Sequence, residues 1–310
     1  MSKQPVAPVP SLKLGRLAPY PESVKPRLKL AKYLTLPAPP TAVDWYSKVP
    51  AWGMMLNDTL GDCTVAEVGH QILSASVYGS APVVINDAQI LSAYEDISGY
   101  QPGNPDTDNG AVIQDVLGYW RRVGIGGHRC LAFAQVAVSD HTEVQQAILL
   151  FGSIDLGLNV PQSAVDQFNA GQPWEVIADD GGIAGGHSVE GVGYRWTSAV
   201  ATDPTGVWLV TWGAVTHMSW SFWDRYVEEA WIVVLPEWLN AQGVDPQGID
   251  LYALGQDLSA LVGEPNPFPS PTPVPTPLPP SPTPTPPSPT VGCAVSLLAA
   301  LALVALARRR

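Results

Sequence analysis

Hydrophobic and polar residues repeat with two periods along this chain, and the change of period marks its elements. Val112, Ile113, Val116, Leu117 and Trp120 recur at helical spacing and form one apolar stripe, so residues 110 to 122 are expected to be a helix packed against a core. Residues 64 to 76, 87 to 97 and 142 to 150 also read as helices. Asp62 is the expected N-cap of the first, and Thr64 followed by Glu67 resembles a capping box one residue in. Strands are expected at 154–160, 187–194, 207–212 and 230–235, with a turn at the Asp-Pro-Thr-Gly of 203–206. Helices come first and strands later. That order predicts an α+β fold rather than a doubly wound sheet.

Proline divides the chain. Residues 1–41 are rich in proline and basic, and read as an extended arm with little local structure. Residues 42–262 carry the periodic pattern and form the expected folded domain. Residues 263–290 are proline alternating with small polar residues, a composition that buries no core and favours a polyproline II stalk. Residues 291–310 end the chain: seventeen uncharged residues, 291–307, then three arginines. As a helix the apolar run spans roughly 25 Å at about 1.5 Å per residue, the low end for a bilayer core. A membrane anchor, or a sorting segment cut near Gly292-Cys293, is expected, in a bacterial envelope. The arginines favour a cytoplasmic end, while residues 1–21 lack the pattern of a secretory signal. The side of the membrane that holds the domain stays open.

A net charge of −12 argues against nucleic acid as a partner. Three cysteines, Cys63, Cys130 and Cys293, do not make a disulfide scaffold, and none has the spacing of a zinc site, so neither metal nor cofactor is expected. Cys63 nevertheless sits where a nucleophile is wanted. A thiolate is favoured at a helix N-terminus and beside an imidazolium, and Cys63 opens a predicted helix. Among five histidines, His70 lies two turns along that same helix, about 10 Å away and out of reach. His128 and His141 read as surface residues, and His217 lies in a stretch that looks irregular. His187 follows two glycines and opens a strand, which allows close approach and a rigid imidazole.

Four stretches together resemble the papain-like cysteine peptidases: PPTAVDW at 39–45, NDTLGDC at 57–63, HSVEGVGY at 187–194, and VTWG at 210–213 followed by YVEEAWIV at 226–233. The likeness spans about residues 39 to 236, with cysteine before histidine and 124 positions between them. It implies a helical half packed against a barrel-like antiparallel half with a cleft between, Cys63 as nucleophile, His187 as base and Asn57 as oxyanion donor. Three departures stand out. Asn57 replaces the family's glutamine. Asp62 precedes the cysteine, where a carboxylate opposes a thiolate. Val210 falls at the orienting asparagine, which leaves Thr211 to orient the imidazole if the register slips by one, with Asp203 a weaker choice. The family's helical inhibitory module has no room in residues 1–41, so a conventional zymogen is not expected. The resemblance implies a cysteine peptidase acting on a peptide or protein and anchored through residues 291–307. An inactive binding module on the same scaffold, or an amidase acting on cell-wall peptides, are the alternatives.

Overall fold

The computed structural model describes residues 12–34, 38–197, 204–242 and 249–269. The proline-rich stretch from 270 onward, the apolar segment 291–307 with its arginines, and Asp203 lie outside the described residues. Among the described residues no helix is long and apolar enough to cross a membrane.

The expected helices form as α1 (Cys63–Tyr78), α2 (Asp87–Ser98), α3 (Ile113–Arg122) and α4 (His141–Phe151). In α3 the stripe of Ile113, Val116, Leu117 and Trp120 is buried, as its spacing requires. In α1 burial extends around nearly the whole helix, Glu67, His70, Gln71, Ser74 and Ser76 included, because α2, α3 and the sheet enclose it. That enclosure overturns the expected capping box. Asp62 takes the N-cap position without a side-chain cap, since Asn57 Nδ2 holds its carboxylate at 3.3 Å. Glu67 turns inward and accepts from Gln71. The capping box instead occurs at α2, between Asn86 and Gln89.

Seven strands make one antiparallel sheet. They are β1 (Ala42–Asp44), β2 (Ala132–Val136), β3 (Ile154–Pro161), β4 (Ile183–Arg195), β5 (Gly206–Thr211), β6 (Ala214–Ser219) and β7 (Val227–Val234). Their order is β2-β7-β3-β4-β5-β6, with β1 paired to the far end of β4. The ladder does not return on itself, so the half expected to be barrel-like is an open sheet. β6 contains His217, so its segment is regular rather than irregular. Its residues pair with β5 one for one, from Gly206 opposite Ser219 to Thr211 opposite Ala214. Beyond the expected elements lie the short β1, β2, α5 (Gln162–Asn169), α6 (Trp220–Tyr226) and α7 (Pro236–Gln242), together with α8 (Leu251–Val262), which is as long as α2. Residues beyond α8 pack back on it, through Asn266 Nδ2 donating to Tyr252 O at 3.0 Å.

The described part of the arm, residues 12–34, pairs with the folded domain. Lys13 N donates to Asn57 O, Gly15 N and Arg16 N to Gly186 O, and Leu17 N to Ala111 O, all between 2.9 and 3.1 Å. Farther along, Gln135 N donates to Leu28 O and Asp250 N to Tyr33 O, while Leu30 and Tyr33 enter the core. Residues 12–18 thereby run between the loop that leads into α1 and the start of β4. That is the cleft between the helical half and the sheet.

Candidate active site

The geometry around Cys63 begins with a strained loop. Met55 and Leu56 both adopt left-handed backbone, φ 52° and 70°, just before α1. Non-glycine residues hold that conformation only where their surroundings over-determine it. One clamp is Asp108. Its carboxylate accepts from Gly61 N at 3.0 and 3.1 Å and from the Tyr94 hydroxyl at 2.6 Å, and that hydroxyl accepts from Gly110 N. The loop before α1, helix α2 and the segment leading into α3 are tied together in this way. The loop then delivers Cys63 at the first position of α1.

On the opposite wall β4 presents His187. Its Nε2 lies 2.7 Å from Thr211 Oγ1, a side chain supplied by the last residue of β5. The register therefore brings Thr211 rather than Val210 to the imidazole: Val210 stands opposite Glu190 and is fully buried. Immediately after Thr211, Trp212 and Gly213 form the two-residue turn into β6, with φ 46° and 73°. A turn of that type requires positive φ at both positions, and here it lays the Trp212 ring flat on His187, 4.5 Å between centroids and 18° between planes. His187 Nδ1 is buried and has no hydrogen-bond partner.

The sulfur and the imidazole strand meet at one backbone position. The backbone amides of Ser188, next to His187, and of Gly15 in the arm lie near the Cys63 sulfur and pull its pKa down. Burial outweighs that pull and pushes the thiol up to about 12, with Asp62 adding to the rise. Burial also holds His187 down to about 3, helped by the positive charge of Arg16 and by His70. In this closed arrangement loss of water therefore opposes a thiolate at the N-terminus of α1. Asp62 responds likewise: burial drives its carboxyl well above the usual range, against the Asn57 hydrogen bond, and so favours its neutral form.

Asn57 sits beside the cysteine, buried, but its amide is engaged. Nδ2 donates to Leu60 O at 3.2 Å and to Asp62 Oδ1 at 3.3 Å. The remaining histidines have other partners. His70 is buried in α1 with its Nε2 2.7 Å from Gly53 O. His128 and His141 bond Glu237 and Asp224, and His217 packs against Trp208.

What covers the site is the arm. Gly15 passes so close to Gly61 that a β-carbon there would overlap the Gly61 carbonyl, and the Arg16 carbonyl crosses Gly186 where only a glycine leaves room. Lys13 O accepts from Trp212 Nε1 at 3.0 Å. A short extended segment thus closes the cleft. Arg16 then turns into a pocket of β3 and β7. Its Nη1 donates to Glu229 Oε1 at 2.9 Å and its Nη2 to Glu228 Oε2 at 2.5 Å and Asn159 Oδ1 at 3.2 Å. The sequence reading assigned none of these four residues a role. The available signal was the Glu228-Glu229 pair inside an otherwise apolar strand.

No protein-family model matches the chain, and no curated protein matches it by sequence. Solved structures do resemble it. Xylellain, a cysteine protease from Xylella fastidiosa, superposes with a TM-score of 0.53 at 13% identity, over 73% of this chain and 97% of that one. A structure comparing the mite allergens Blo t 1 and Der p 1 gives 0.48 at 12% identity, over 69% and 76%. The cysteine protease and lectin-like domains of Cwp84 from Clostridium difficile give 0.45 at 14%, over 66% and 54%.

Proposed function

Starting from a papain-like fold, which the chain shares with xylellain, we propose that it is a thiol-dependent hydrolase of peptide or amide bonds, drawn here with its cleft closed by its own arm. One observation carries the reading: Thr211 takes one nitrogen of His187 and leaves the other unpartnered, on a strand whose next backbone amide lies near the Cys63 sulfur.

The chemistry follows from that arrangement once the arm leaves and water enters. Nε2–H donates to Thr211 Oγ1, which fixes the tautomer and leaves the Nδ1 lone pair to take the Cys63 proton. The thiolate attacks the carbonyl carbon, and the C–O π pair moves onto oxygen. Cys63 N–H, in the first turn of α1 where helix donors lack intrahelical acceptors, stabilises that oxyanion. Asn57 joins it only after releasing Leu60 O or Asp62. Such a donor is worth on the order of 3 kcal/mol of barrier. Imidazolium Nδ1–H then protonates the leaving amine, and water, deprotonated by the same nitrogen, releases the thioester. Trp212 keeps the ring in plane and shields it.

The test is alkylation of the full chain by iodoacetamide at neutral pH. In the native chain Cys63 reacts slowly. In Gly15→Val, whose side chain cannot stay seated against Gly61, labelling rises at least tenfold, and His187→Ala removes that gain. Fast labelling that ignores His187 would leave a binding module on a peptidase scaffold. The tether through residues 291–307 is part of the proposal and rests on their apolar run and trailing arginines. The full chain is expected in the carbonate-resistant membrane fraction, and Leu298→Arg with Leu301→Arg in the soluble one.

A further inference from the structure

The pocket that holds Arg16 is more demanding than the closure of a cleft requires. Glu229 is fully buried, and its second oxygen accepts from Trp231 Nε1 at 2.9 Å, so its carboxylate is fixed before any cation arrives. Glycines line the way in. A β-carbon at Gly157 would lie 2.8 Å from Arg16 Cδ and 2.6 Å from Glu229 Cγ, and one at Gly186 would overlap the Arg16 carbonyl. The channel is therefore cut to a long unbranched stem. Its far end carries three acceptors, Glu229 Oε1, Glu228 Oε2 and Asn159 Oδ1, spread across the two terminal nitrogens of one guanidinium.

Those features describe a receptor for a planar cation. A carboxylate buried without its counter-charge is strongly disfavoured, so Glu229 needs an occupant whenever the arm is away. Arginine satisfies the fork of acceptors, while lysine presents a point charge and an apolar side chain presents nothing. The arm passes the site with Gly15 N–H donating to Gly186 O at 3.1 Å. It also runs parallel to the Ala111 strand segment.

We infer that this pocket is the specificity subsite of the cleft. It selects peptides carrying arginine next to the residue that faces Cys63, and Arg16 is the stand-in that fills it when the arm is docked. The inference rests on the hydrolase reading for the word substrate, but the pocket's selectivity can be read without turnover.

The experiment uses the full chain with Gly15→Val and Arg16→Ala, which unseats the arm and empties the pocket. Binding of the free heptapeptide Leu-Lys-Leu-Gly-Arg-Leu-Ala is compared with the same peptide carrying citrulline for arginine, neutral and nearly isosteric, by fluorescence anisotropy. The citrulline peptide is expected to bind at least tenfold more weakly. Adding Glu229→Gln should abolish the difference, and Glu228→Gln, at the exposed rim, should reduce it about threefold; circular dichroism checks the fold of each. In parallel, acetyl-Leu-Xaa-Gly-aminomethylcoumarin with Xaa arginine, lysine, leucine or glutamate is assayed for kcat/KM. Arginine is expected to exceed leucine at least tenfold. Equal binding of the two heptapeptides overturns the pocket, whatever is hydrolysed. Discrimination in binding with no turnover of any amide supports the pocket and removes the hydrolase.

Discussion

Cys63 and His187 are drawn here as two neutral groups, one pushed up to about 12 and the other held down to about 3, each mainly by loss of water. On the proposed reading, an ion pair between them would form only after the arm leaves and water returns. On the same reading Thr211 leaves Nδ1 as the working nitrogen, because its hydroxyl occupies Nε2. Thr211→Val keeps the shape and deletes the bond. With the arm displaced, kcat on a cleaved amide should fall about tenfold or more, in line with a lost hydrogen bond of roughly 1–2 kcal/mol, while KM changes little. A Thr211→Ser chain, which keeps the hydroxyl, should recover most of the rate. Equal losses for valine and serine would remove the positioning role.

At the scale of elements, the site is held by α1, by the β5–β6 turn and by a polar seam where α1 meets β4. In that seam Ser74 Oγ donates to Glu190 Oε1 at 2.6 Å, and Ser188 Oγ donates to Asp155 Oδ1 at 2.9 Å. Burial raises Glu190 to about 8, against the Ser74 and Ser153 hydrogen bonds that lower it. A folded pKa above the unfolded value contributes stability that is complete below about 4.5 and is lost as pH rises through about 8. Glu190→Gln should therefore remove stability loss between pH 5 and 8 and raise Tm at pH 8, by about 2–4 °C per kcal/mol recovered. Thermal melts at pH 5 and pH 8.5 read it, and an unchanged pH dependence would contradict the assignment. The two buried histidines act with the opposite sign. His70 is held at about 4 and His187 at about 3, both by burial first. Each contributes stability present above about 6.5 that is lost as pH falls through those values.

For residues 12–269 as a whole, the same linkage couples acid to the arm. Protonated His187 would face Arg16, and His70 lies near enough to add its own charge if protonated. Release of the arm hydrates the imidazole and returns it toward its ordinary range, so the open form binds the proton more tightly. Docking should weaken as pH falls below about 6.5, by up to tenfold per pH unit for one such group. Hydrogen exchange at the Gly15, Arg16 and Leu17 amides, corrected for intrinsic rates, should show protection falling from pH 7 to pH 5. In His187→Gln that dependence should flatten.

The helices and the long strands were legible because their signal is local: an apolar stripe every third or fourth residue in α3, and the alternation of Ile154, Leu156, Leu158 and Val160 in β3. β6 was not, since Ala214 to Ser219 acquires its pattern only by pairing with β5. The choice of Thr211 over Val210 was visible as a question of register, and register is settled by the turn at Trp212-Gly213, where a tryptophan accepts left-handed backbone that its own preferences resist. By itself the sequence determined helices α1 to α4 and strands β3, β4, β5 and β7, and it singled out Cys63 and His187 as candidates. Only the tertiary structure decided that Leu12 to Ala18 fills the cleft, that Asn57 spends its amide on Asp62, and that Arg16 meets Glu229 across 213 positions. The physical reason is that those outcomes depend on exclusion of water from groups distant in the chain, a property of the packed interior that no window of neighbouring residues contains.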